Sequence, residues 1–142
     1  MTIYQFTPFM ALYNGLAPMV DQYGKIANIA YGVNLVTKVA NYTVLPSDSG
    51  RVFITGTGAV TFTLPSLVLG NGCIFTFICG VDANMVITAP SGKLVGDGNV
   101  ANTSATFSTA SHKIGGNIQV VCDGLKYYIV STGNLTAIAT MS

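Results

Sequence analysis

The stretch "NYTVLPSDSGRVFITGTGAVTFTLPS" spans Asn41–Ser66 and decides the fold class. Its only charged side chains are Asp48 and Arg51. In its last third Val60, Phe62 and Leu64 alternate with Thr61 and Thr63. Side chains on a strand point alternately to opposite faces, so this pattern buries one face and wets the other. Pro65 ends the run, because it cannot donate to a ladder. Upstream, Arg51–Thr55 reads as a strand turned by Gly56–Gly58, and Tyr42–Leu45 as a short strand closed by Pro46. Between them "PSDSG" reads as a turn, since Ser and Asp can bond their own backbone.

The same grammar continues downstream. Leu69–Gly72 is a predicted turn before the strand "CIFTFIC", Cys73–Cys79. Even spacing puts both cysteines on one face with Phe75 and Phe77, where they read as small buried hydrophobes. Met85 and Ile87 alternate with Val86 and Thr88. The loop-rich segment that follows has room for short strands at Lys93–Val95 and Thr106–Ser108. Asp123-Gly124, between "NIQVVC" and "LKYYIVST", is a hairpin signal. The tail "GNLTAIATMS" offers one more strand. About eight short strands with frequent turns predict an all-β fold, an antiparallel β-sandwich or small β-barrel.

Composition bounds what such a domain can do. The chain has 142 residues, half of them apolar and 8% charged, with formal net charge +1. A soluble domain usually carries roughly a quarter charged residues. No long-range field therefore steers the chain to nucleic acid or anionic lipid, and neither is an expected partner. A surface this poor in charge is expected to be hidden, in a partner or in copies of itself. Membrane insertion is not expected. The charge-free run between Arg51 and Asp82 is broken by Pro65 and five glycines, unlike a spanning helix of about 20 apolar residues. The strands are too few and too uneven for a porin-like barrel. The N-terminus has no basic segment ahead of an apolar block, so no signal peptide is expected.

Chemistry is sparse. There is one histidine, His112, in a loop-like stretch beside Lys113, where a surface role is expected. The five acidic residues, Asp21, Asp48, Asp82, Asp97 and Asp123, fall in predicted turns or loops and read as turn formers. No G-x-S-x-G elbow, phosphate loop or calcium loop occurs. Cys73, Cys79 and Cys122 are an odd set with no histidine nearby, against both a disulfide framework and a metal site. No catalytic residue, metal or cofactor is expected, and the chain reads as a non-enzyme.

Residues 1–40 differ in character. Tyr4, Phe6, Phe9, Tyr13, Tyr23 and Tyr31 are scattered among two Pro and three Gly, with only weak alternation at Val33–Val39. The segment is too apolar for a solvated tail. It reads either as a partly extended N-terminal arm lying on another subunit or as a first strand pair with an irregular loop. The domain boundaries are thus 1–40 for the arm and 41–142 for the β domain. In the arm reading the six aromatics are capsid or subunit contacts, since aromatics give large contact area per ordered side chain.

Three stretches carry a resemblance: "YTVLPSDSGRVFITGTGAVTFTLPS", "GCIFTFICGVDANMVITAPSG" and "IGGNIQVVCDGLKYYIVSTGN". Over roughly Tyr42–Asn134 the chain resembles β domains of tailed-bacteriophage virion proteins. These include capsid decoration (cement) proteins, head fibres and tail-fibre modules. The resemblance does not extend through Lys93–Ser111 or to the first 40 residues. It implies a structural, non-enzymatic homotrimer, made in the host cytoplasm and placed on the outer capsid surface of the virion. There it would contact the major capsid protein and give capsid stabilisation. The alternative within the same family is a fibre module that grips a host-surface receptor through exposed loops such as Gly92–Ser111.

Overall fold

A computed structural model describes residues 33–133 and 138–142. Val33–Ser142 forms one compact unit. The all-β class is as expected. The described residues form twelve strands: β1 Leu35–Lys38, β2 Tyr42–Thr43, β3 Val52–Thr55, β4 Val60–Thr63, β5 Ile74–Ile78, β6 Met85–Thr88, β7 Leu94–Gly96, β8 Asn99–Asn102, β9 Ser104–Phe107, β10 Asn117–Cys122, β11 Tyr127–Gly133 and β12 Ile138–Met141. A 3-10 turn at Pro46–Asp48 and a single helical turn at Leu67–Gly70 are the helical pieces.

The strands form a seven-stranded sheet in the order β1-β3-β5-β10-β11-β7-β8 and a five-stranded sheet in the order β12-β9-β6-β4-β2. Both are mixed, where the sequence predicted antiparallel pairing. The reason lies in how the chain travels. Through β6 each strand enters the sheet opposite to its predecessor, so the chain winds as a flattened coil. Successive windings stack in parallel, β1 on β3 on β5 and β2 on β4 on β6. A parallel pair needs a long crossover; here the strand of the facing sheet supplies it. After β6 the winding stops. β7 and β8 make a hairpin, β9 runs antiparallel to β6, and β10 runs antiparallel to both β5 and β11.

The core lies between the sheets. Phe53, Phe75, Phe77, Ile118, Val120 and Tyr127 enter from the seven-stranded side. Val60, Phe62, Met85, Ile87, Ala105 and Phe107 enter from the other. Phe53, Phe62 and Phe77 form an aromatic centre with ring centroids 4.7–5.5 Å apart. Tyr42 packs on Phe53 at 5.6 Å, and the Lys38 ammonium lies 3.3 Å from the Tyr42 ring. Such pairs contribute about 0.5–1.5 kcal/mol each beyond the area they bury.

Two tight turns fix where the strands end. The β7–β8 hairpin turns on Asp97 and Gly98, both at positive φ, a geometry Asp tolerates and Gly adopts freely. The predicted hairpin at Asp123-Gly124 exists as a four-residue connection. The Asp123 carboxylate accepts the backbone N–H groups of Leu125 and Lys126, and Gly124 supplies the positive φ. The stretch Gly92–Ser111, read as a candidate receptor loop, carries β7, β8 and β9 and is largely sheet. β1 lies within the segment read as the arm, and the compact unit spans Val33–Ser142.

Candidate functional site

A catalytic site would show among the ionisable groups. Asp48 is buried and serves three partners: it accepts from the Tyr42 hydroxyl at 2.9 Å, the Leu45 N–H at 2.9 Å and Arg51 at 2.6 Å. This locks the turn between β2 and β3. Asp82 accepts from Lys113 Nζ at 3.3 Å and from the Ser111 N–H. The Lys113 bond, with the backbone N–H groups, holds the Asp82 carboxyl below its usual range. Lys113 is itself buried, so this pair ties two loops at one end of the sandwich. Tyr127 donates to the Pro65 carbonyl at 3.0 Å, and burial pushes its phenol upward. His112 is exposed, as the sequence suggested. Among the described residues no group of three or more His, Cys, Asp or Glu side chains gathers to hold a metal. No helix among them is long and apolar enough to cross a membrane.

Cys73, Cys79 and Cys122 are free thiols, all buried, as the even spacing predicted for Cys73 and Cys79. Burial pushes the Cys79 thiol up to about 11, against the pull of nearby Lys113 and with the push of Asp82. The thiolate is the reactive species. Because all three are buried, a thiol reagent at pH 8 should modify none of the three cysteines of the native chain within minutes, and all three in denaturant. Rapid native labelling would contradict the packing described.

The outer faces of the two sheets hold the more informative contrast. On β2, β4, β6 and β9 of the five-stranded sheet the outward positions are mostly hydroxyls. Thr43, Thr63, Thr88 and Ser104 form one cross-strand row in register, and Thr61, Val86 and Thr106 form the next. On the seven-stranded sheet the outward positions of β3, β5 and β10 are Val52 and Ile54, Ile74, Thr76 and Ile78, then Asn117, Gln119 and Val121. Leu35 at one side is 61% exposed, and Val130 at the other 52%. The register joins them: Leu35 stands beside Val52, Val52 beside Thr76, and Ile74 beside Val121.

Strand propensity does not explain this difference. Thr, Val and Ile are all β-branched and suit strands alike. They differ in what water does to them. Val52, Ile54, Ile74, Ile78 and Val121 are partly buried, and what they leave exposed forgoes the hydration a hydroxyl would gain, at roughly 25 cal/mol per Å² of exposed apolar area. No carboxylate, ammonium, guanidinium or imidazole stands at the outward positions of β3, β5 and β10. At the rim, the Tyr128 hydroxyl donates to Asp123 at 2.9 Å. Across the centre, the Gln119 amide donates to the Thr76 hydroxyl at 3.0 Å, so the main polar pair of the face is already satisfied.

The aromatic positions singled out in the sequence, Tyr4, Phe6, Phe9, Tyr13, Tyr23 and Tyr31, lie outside the described residues. Sequence reasoning missed the aliphatic face. Its signal was present in the even positions of "IFTFI" and "VFIT", but those positions read only as strand residues until the pairing order was known. Searches against protein-family models and against curated proteins find no match to the chain.

Proposed function

We propose that this chain is a structural virion protein of a tailed bacteriophage, a decoration (cement) protein that trimerises on the outer capsid and stabilises contacts between major capsid subunits. The observation that carries the reading is the pair of unlike outer faces on one neutral sandwich. A domain that works alone in water has no use for an aliphatic face beside an available threonine alternative. A tile that is covered on one side and wet on the other does. The buried ionisable groups have structural duties, which agrees with a non-enzymatic role. The resemblance of Tyr42–Asn134 to virion β domains supplies the setting, and the aromatic residues of the first 31 positions supply anchors for a capsid contact. Modest contacts repeated over a shell become strong through multivalency. An interface with few charges also weakens little with salt.

The test compares particles with and without the protein. Particles lacking it should lose heat or chaotrope resistance while adsorbing to host cells normally, and complete particles should carry hundreds of copies. Lost adsorption with unchanged particle stability, and a handful of copies, would instead mark a fibre module. Deleting Met1–Tyr13 should release the protein from particles while leaving the sandwich folded. Full occupancy by the truncated form would remove the arm from the account.

A further inference from the structure

We propose that Cys73 and Cys122 are a cross-strand pair that closes to a disulfide when a low-molecular-weight disulfide oxidises them, tying β5 to β10. The role proposed above supplies only the setting, synthesis in a reducing cytoplasm and service outside it.

The ladder puts the two residues opposite each other. Phe77 faces Ile118 and Phe75 faces Val120 across β5 and β10. Two residues further along the same inner face come Cys73 and Cys122. The Cys122 N–H donates to the Cys73 carbonyl at 3.1 Å, and the Gly72 N–H to the Cys122 carbonyl at 2.9 Å. With Gly72 at φ 77°, this is a glycine bulge, two residues facing one. Both cysteine side chains are buried. Opposed residues of an antiparallel pair have Cα atoms about 5.5 Å apart and Cβ atoms about 4.5–5.5 Å apart. A disulfide takes about 4.4–6.8 Å and about 3.5–4.5 Å. The backbones already stand in range. The bulge, where the ladder is interrupted, takes up the roughly 1 Å that the Cβ atoms must close.

The surroundings agree. Burial first, and then the neighbouring Cys122 and Cys73 thiols, push the Tyr127 phenol upward, so both sulfurs lie beside one hydroxyl. Cys73 donates to the Pro46 carbonyl at 3.8 Å and Cys122 to the Leu67 carbonyl at 3.7 Å. S–H is a weak donor, so closing the bond gives up little. Cys79, six residues along the strand from Cys73, is about 20 Å away at about 3.3 Å per residue, beyond bridging range. Exposure separates the three in the same way: Cys73 is 8% and Cys122 5% exposed, and Cys79 1%.

In the reaction one cysteine thiolate attacks the reagent's disulfide and releases one thiol, leaving a mixed disulfide. The second cysteine thiolate attacks that protein sulfur and releases the other. Two protons and two electrons pass from the cysteines to the reagent, which leaves as two thiols. The new bond closes a loop of about 50 residues and so restricts the unfolded chain.

Refolding the full chain from urea in an oxidised-glutathione buffer, where every thiol is accessible, tests this without any particle. Remaining thiols are alkylated and the peptides mapped without reductant. Cys73 should be joined to Cys122 at least tenfold above any pair containing Cys79. The oxidised chain should melt at least about 5 °C above the reduced one, and dithiothreitol should reverse the shift. Cys79→Ser should change neither result, and Cys122→Ser should abolish both. The wild-type map needs no variant, so a Cys122→Ser chain that misfolds leaves the test intact. Cys73 and Cys122 left free or carrying glutathione singly, links to Cys79 in equal yield, or a link that leaves melting unchanged overturns the proposal. Particle stability and adsorption do not enter these readouts, so failure here and failure of the cement reading are separately visible.

Discussion

Phe77→Ala should lower the unfolding free energy by about 3–5 kcal/mol, the range for truncating a fully buried aromatic. Phe77 has no exposed surface and stands where the sheets meet. It stacks on Phe53 at 5.5 Å and meets Phe62 of the opposite sheet at 4.7 Å. Truncation removes both ring contacts and leaves a hole bounded by two other rings, which a rigid sheet on either side cannot close. Phe77→Leu should recover about half of the loss, because it refills volume without restoring the ring pairs. Urea melts of the three proteins measure both values. A cost under 1 kcal/mol for Phe77→Ala would mean that the sheets do not close on this centre.

Asp48→Ala should cost about 2–3 kcal/mol, a large effect for a residue in a turn. The carboxylate is 1% exposed and accepts from a hydroxyl, a backbone N–H and a guanidinium. Removing it leaves the Leu45 N–H and the Tyr42 hydroxyl without an acceptor. Arg51 is partly exposed and can turn to water, which keeps the loss below that of a wholly buried pair. Asp48→Asn keeps an acceptor and loses the charge, so about half of the effect should remain. The turn joins the first winding of the coil to the second, so the loss should appear as faster exchange of the β2 and β3 amides. A neutral Asp48→Ala would show that the buried network contributes nothing net.

Local structure was far more legible in the sequence than pairing order. Val60, Phe62 and Leu64 are buried and Thr63 is exposed, as the alternation in "AVTFTLP" requires. Phe75, Phe77, Cys73 and Cys79 face inward as their even spacing requires. Period-two patterns report which face a residue takes. They are silent on which strand lies alongside. The windings are of unequal length: Leu35 stacks on Val52 and Val52 on Thr76, so no repeat marks the parallel stacking. Strand β8 escaped notice because Asn99–Asn102 has little β-branched character. Asp48 read as a turn former, and it is one, but its burial depends on Tyr42 and Arg51 converging in space. The aliphatic outer face was hidden for the same reason as the topology. Leu35, Val52, Ile74 and Val121 are scattered through the chain and become one surface only when the sheet order is known.

The mass of the full chain in dilute solution tests most directly whether this sandwich is built to be covered by its neighbours. Multi-angle light scattering at micromolar concentration should give three times the 14.8 kDa of one chain. A mass of 14.8 kDa that persists from micromolar to millimolar would describe a self-sufficient monomer, and the structural account would fail.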